Sequence, residues 1–300
     1  MTTVSKPFST WAPIMGEWEL GETRAEYQGS DTSSRGVLLG HSRLGSGEVK
    51  TTVELSEEVD AGRILIGYES LNSRYVTAGL GGFGEAYVIA EFDPGLGWTR
   101  MDGAGSRTSL QADRSYEVSV KLDGQRLALS VDGIRVLSHV MPQPIANGQV
   151  GMFAWGIGTV AFGPVEVSTD PPTAFVVMQF SSPYDELYDE VIEPTCKDLG
   201  IKAYRARDIY RPSVILQDII QGLAESNVIV AEISPTNANV FYELGYAHAL
   251  HKPVILLAEQ GRQLPFDISG YRVIFYENAI RGKSGLETQL RQHLSSIFNE

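Results

Sequence analysis

Asn227–Leu257 reads NVIVAEISPTNANVFYELGYAHALHKPVILL, and this stretch decides the fold of the C-terminal half of the chain. An unbroken apolar run ends in Glu232, a polar loop follows, a helical period covers Asn239–His251, and a second apolar run covers Val254–Ala258. Strands that are apolar at every position, joined by an amphipathic helix, belong to a parallel sheet covered on both faces. The same alternation extends outward. Ala174–Gln179, Ile201–Ala206 and Arg272–Tyr276 read as strands, and Asp185–Leu199, Ser213–Glu225 and Leu286–Phe298 as helices. Five strands in a domain of this size predict a flavodoxin-like α/β fold, with any ligand beyond the carboxyl ends of the strands.

Upstream the period changes. Glu48–Leu55, Arg63–Tyr68, Tyr116–Leu122, Arg126–Val131 and Ile134–His139 are short, β-branched and in part alternating, with turn signals at Asp123-Gly124, Asp132-Gly133 and Asn147-Gly148. Many short strands without a helical period predict an all-β sandwich over residues 1–168. Ser168-Thr169-Asp170-Pro171-Pro172 ends it. We therefore expect a short proline-rich linker at 169–172 and a separate α/β domain over 173–300.

Composition narrows the function. The net charge of −13 divides into −8 before residue 173 and −5 after it, so neither half offers the positive footprint that wrapping a nucleic acid requires. No apolar run is long enough for a membrane span, and the first residues carry no signal-peptide core. One cysteine, Cys196, rules out an internal disulfide framework and suits a reducing, cytoplasmic setting. Five scattered histidines without a Cys pair give no zinc spacing.

Within the opening stretch, Glu243 stands out. A Glu in the second turn of a helix is usually half of a capping box, but the position three residues earlier is Val240. Val240 and Ala247 flank Glu243 at helical spacing, so its carboxylate lies at the edge of the apolar face, half-buried at the sheet's carboxyl edge, with Glu232 expected near it. Other candidates read as structural. Gly79-Leu80-Gly81-Gly82-Phe83-Gly84 spells a dinucleotide fingerprint, but Glu85–Ala90 after it looks like a strand where the motif needs a helix. His248 and His251 lack a third ligand. Arg205 and Arg207 fit a phosphate contact or solvated surface equally. Trp11, Trp18, Trp98 and Trp155 suit the sandwich core, with sugar stacking as the alternative.

Two resemblances add to this. YEVSVKLDGQRLALSVDGIRVLSHV followed by GQVGMFAWGIGTVAFGPVEVS resembles the concanavalin A/laminin G-like jelly rolls, a fold that hosts lectins, hydrolases and adhesion modules. NVFYELGYAHALHKPVILL resembles the nucleoside 2-deoxyribosyltransferase-like superfamily and its TIR-like relatives. So do Phe175–Phe180 ("F-V-x-M-P-F" in the family), Arg207-Asp208-Ile209 and Phe266–Arg272, in that family's order. Gln179 stands where the family has Pro, and Glu232 where it has Asp.

The resemblance implies an enzyme of N-glycosidic bond cleavage with Glu243 as the catalytic carboxylate and Glu232 orienting the base or sugar. It further implies Met178, Gln179, Phe180, Asp208, Asn239 and Tyr246 as substrate contacts, and neither metal nor cofactor. The substrate it points to first is NAD+, cleaved in bacterial antiviral defence under the control of the sandwich or of self-assembly into a homo-oligomer. A nucleoside or nucleotide deoxyribosyltransferase or hydrolase is the alternative. A silent nucleotide-binding module with a glycan- or protein-binding sandwich is a third.

Overall fold

The computed structural model describes residues 2–4, 6–208, 215–268 and 270–298; Ile209, Ser213 and Ser269, used in the motif reading, lie outside these residues. The chain divides into two compact units, one of Met1–Met141 with Ile145–Asp170, the other of Pro142–Pro144 with Pro171–Glu300.

Among the described residues, the first unit is a sandwich of a nine-stranded and a seven-stranded antiparallel sheet. Its hairpins form where the Asp-Gly pairs predict them. Asp132 and Gly133 take φ of 50° and 75°, the left-handed pair that a two-residue hairpin of matching twist requires, and they bring Val131 opposite Ile134. Gly47–Leu55 alternates buried and half-buried positions along its whole length, as a strand with one face on the core should. Ala61–Tyr68 does not: every position is buried. Ile64 and Ile66 enter the inter-sheet core, whereas Leu65 joins Val37, Leu39, Tyr68, Tyr75 and Phe153 in a second cluster on the other face. The seven-stranded sheet is thus covered on its outer side by its own aromatics.

The second unit carries five parallel strands: β1 (Thr173–Val177), β2 (Lys202–Arg205), β3 (Val228–Glu232), β4 (Val254–Glu259) and β5 (Val273–Tyr276). Their spatial order is 2-1-3-4-5, the flavodoxin-like order expected from the sequence. Helix α1 combines α-helical Tyr184–Leu187 and Glu193–Asp198 around a π-helical stretch, Tyr188–Ile192. The other helices are α2 (Ile215–Glu225), α3 (Ala238–Ala249) and α4 (Ile280–Phe298). α4 starts six residues before the expected Leu286, because Arg281–Gly285 has no apolar period to announce it; Leu286, Leu290 and Leu294 then fill one stripe.

The strand period of two decides what each face meets. Val228 and Val230 of β3 pack with Tyr184, Tyr188 and Ile192 of α1 and the leucine stripe of α4. Ile229 and Ala231 pack with Leu223 of α2 and Val240, Leu244 and Ala247 of α3. Close approach is needed at Gly222 of α2, where any Cβ would lie 2.7 Å from the Phe175 ring. The buried ammonium of Lys252, just before β4, donates at 2.7 Å to both Ala224 O and Ser226 O, closing the α2–β3 turn.

Candidate active site

At the carboxyl ends of β1 and β3 the chain leaves a cleft of about 710 Å³, of a size that holds a nucleotide. Three segments shape it. The first is Met178-Gln179-Phe180, leaving β1. The second is the start of α3, and the third is Leu216, Asp218 and Ile219 on the first turns of α2. Arg207 closes one side, its guanidinium 5.6 Å from the centre of the exposed Phe180 ring.

Helix α3 is set by Asn237. Its side-chain oxygen accepts from Asn239 N at 3.0 Å, capping the helix, and its amide nitrogen donates to Gln179 Oε1 at 3.2 Å. Gln179 in turn donates to Ser181 Oγ at 2.8 Å. Gln179 therefore ties the first loop to the helix that carries Glu243. Asn237→Ala should destabilise the domain by about 1 kcal/mol, the usual effect of losing an N-cap, and should raise KM more than it lowers kcat; urea denaturation and steady-state kinetics would check both.

Glu243 sits one turn into α3, half-buried and on the cleft lining. Burial alone pushes its carboxyl up to about 7. A partly desolvated carboxylate on a cleft wall, ion-paired with no cation among the described residues, marks a candidate functional group rather than a surface acid. Met178, Gln179, Phe180 and Asn239 line the same cleft.

Three expected site residues are elsewhere. Glu232 is wholly buried and accepts from Ser234 N at 3.2 Å, from the Ser234 hydroxyl, and from the Tyr276 hydroxyl at 3.1 Å. It shares the parity of Val228 and Val230, so it turns to the α1/α4 face while Glu243 belongs to the helix on the opposite face. Ser234 Oγ also accepts from Glu259 N at 2.7 Å, so Glu232 binds the ends of β3, β4 and β5 into one clasp. Burial raises its pKa, with the Ser234 and Tyr276 hydrogen bonds opposing. Asp208 does not line the cleft: Arg205 donates to its carboxylate from backbone N at 3.0 Å and from Nε at 3.2 Å. Tyr246 packs against the α2/α3-side core.

Arg205 is a structural hub rather than a phosphate ligand. Nearly buried, it lies 3.7 Å over the Tyr188 ring and pairs with Asp185 at 3.3 Å. His248 stacks flat on Tyr271, with centroids 4.5 Å apart, and burial lowers its pKa. Sequence reasoning missed Asn237, Asp218 and Tyr242 on the cleft. The polar run before α3 was the signal for Asn237; a one-residue error in the helix start hid its role as cap.

Residues 180–291 match the model of the nucleoside 2-deoxyribosyltransferase family. The match runs from the first cleft loop into α4 and includes Glu243. No curated protein matches the chain. Solved structures with a similar sandwich include a carbohydrate-binding module, CBM66 from Bacillus subtilis, at 14% identity and TM-score 0.46, covering 53% of this chain and 95% of that one. A protein of unknown function with a galectin-like fold from Bacillus subtilis matches at 10% identity and TM-score 0.41, covering 56% of this chain and 97% of that one. The exoplasmic/lumenal domain of VIP36 matches at 12% identity and TM-score 0.42, covering 62% and 92%. Likenesses this distant say nothing about what the sandwich of this chain binds. No helix among the described residues is long and apolar enough to cross a membrane.

Proposed function

We propose that the deoxyribosyltransferase-like domain cleaves the N-glycosidic bond of a nucleotide, with NAD+ as the substrate and Glu243 as the catalytic carboxylate. The observation that carries this reading is the half-buried Glu243 on the lining of a nucleotide-sized cleft, ion-paired with no cation among the described residues. Breaking the C1′–N bond sends the electron pair to the departing base and leaves positive charge on the ribose, an oxocarbenium-like state that a nearby carboxylate stabilises or captures. Water then completes hydrolysis, giving nicotinamide and ADP-ribose. Gln179 and Asn237, already joined by a hydrogen bond, would present polar groups to the sugar, and Arg207, paired with Asp185 at 2.8 Å, would exchange that partner to meet phosphate.

Incubating the full chain with NAD+ and separately with 2′-deoxynucleosides, and resolving products by mass spectrometry, tests the assignment. Nicotinamide release from NAD+ is the expected result. Base exchange between deoxynucleosides with NAD+ untouched would replace this reading by the transferase activity after which the matched family is named. Turnover of neither would end both.

Among the described residues the sandwich brings no catalytic constellation of its own, and we read it as the controlling part of a system that depletes NAD+ in bacterial antiviral defence, with assembly of several chains switching the α/β domain on. Specific activity should then rise with protein concentration, in step with light scattering. A flat profile would remove the assembly step.

A further inference from the structure

The glycine-rich loop of the sandwich, which the dinucleotide reading leaves unexplained, closes around one arginine. Arg63 is 2% exposed, and its Nε and Nη2 both donate to Gly81 O. A Cβ on Gly82 would lie 1.7 Å from Arg63 Nη2, so only glycine fits there; Gly81 and Gly82 also take φ of +73° and +104°. The guanidinium lies between two rings, 5.6 Å from the centre of Phe83 and 5.7 Å from that of Phe153. No carboxylate among the described residues pairs with it, and its charged neighbour is another cation, Arg107. Burial brings its pKa down to about 9. A buried cation without a counter-charge is costly to the fold and needs a reason.

Arg63 forms part of the wall of a cleft of about 370 Å³ on the outer face of the seven-stranded sheet, with Arg35, Phe83, Trp98, Phe153 and Trp155. Strand register builds it. Trp155 stands opposite Arg35 on one neighbouring strand, and Phe153 opposite Arg63 on the other. Trp98 packs on Phe153 at 4.7 Å between ring centres. Arg35 is exposed, and no carboxylate among the described residues pairs with it either. In a chain of net charge −13, one aromatic cleft holds two arginines that no acid among the described residues pairs with. Phe83, 47% exposed and at a φ of 51° that strains a bulky residue, forms the lip over Arg63.

We propose that this cleft binds a small ring compound bearing an anionic group, the ring lying against the tryptophans and the anion meeting Arg35 and Arg63. An acidic sugar and a nucleotide share that chemistry. Guanidinium groups suit carboxylate and phosphate alike, and a flat aromatic wall suits a sugar face or a base.

All four tryptophans lie before residue 156, so tryptophan fluorescence, excited beyond the tyrosine absorption, reports on the sandwich and not on the α/β domain. The full chain would be titrated with matched pairs, a hexuronate against its neutral hexose and AMP against adenosine. The expected result is a saturable change with the anionic member of at least one pair, at least tenfold tighter than with its neutral partner; the pair that responds names the source. Arg35→Gln, at an exposed position, should weaken that binding about tenfold without shifting the melting temperature, and Phe83→Ala should weaken it as well. Arg63→Gln should abolish it, and circular dichroism would show whether the sandwich remains folded. Absence of binding by both anions, equal binding of a neutral partner, or Arg35→Gln with unchanged affinity would overturn the proposal.

Discussion

Glu243→Gln is expected to lower N-glycosidic turnover by about a thousandfold or more, the usual order of loss when the group that meets the reacting carbon is removed. The substitution keeps shape and hydrogen-bonding reach and removes only the charge. Its stability effect runs the other way. The Glu243 carboxyl is raised from 4.5 to about 7 in the folded chain. Between those values the folded state holds a proton that the unfolded state has released, so the wild-type domain loses stability as pH rises through that window. Glutamine has no such dependence. The variant should therefore be the more stable protein above pH 7, with the advantage fading to nothing below about 4.5. Activity of the free wild-type enzyme should rise as pH passes through about 7, because the ionised form is the working one. Kinetics and thermal melts at pH 4, 6 and 8 would check all three. A variant with near-wild-type turnover would remove Glu243 from the mechanism, and a variant less stable at pH 8 would show the loss of activity to be loss of fold.

Lys252→Met should cost about 2–4 kcal/mol of stability, because it removes two hydrogen bonds from an amine whose burial lowers its pKa to about 7, and leaves two carbonyls without their donor in a buried turn. Methionine fills nearly the same space, so the loss is polar rather than steric. Activity per folded molecule should hardly change, since Lys252 is not on the cleft lining. The midpoint of chemical denaturation, followed by circular dichroism, measures the effect; a change under about 0.5 kcal/mol would mean that water replaces the ammonium without penalty.

What the sequence makes legible follows from which signals are local. Strand order in the α/β domain follows from apolar runs and helical periods, and Glu243 from its place on the edge of an apolar helix face. Glu232 was misplaced by the same reasoning applied one step too loosely. It ends the strand that leads to the cleft, but residues 228, 230 and 232 share a parity that turns the carboxylate to the far face. Counting parity would have found this. Asp208 was misplaced because its partner, Arg205, is three residues back and looked free for a ligand. Arg63 lay beyond sequence reasoning altogether: a strand arginine reads as a solvated edge until the glycine loop, two strands and an aromatic cover are folded over it.

The clasp around Glu232 also sets where the domain can breathe. Ser234 and Glu259 hold their amide protons in a buried ring of side chains that joins three strand ends, so both protons should survive in deuterated solvent until the whole domain opens. Asn239, on the cleft itself, keeps its amide proton only through an Asn237 side chain near the surface, and should lose it through local opening long before that. The α/β domain would then have a stiff clasp behind the sheet ends and a looser cleft wall, and a substrate would enter by displacing the start of α3 and the loop tied to it.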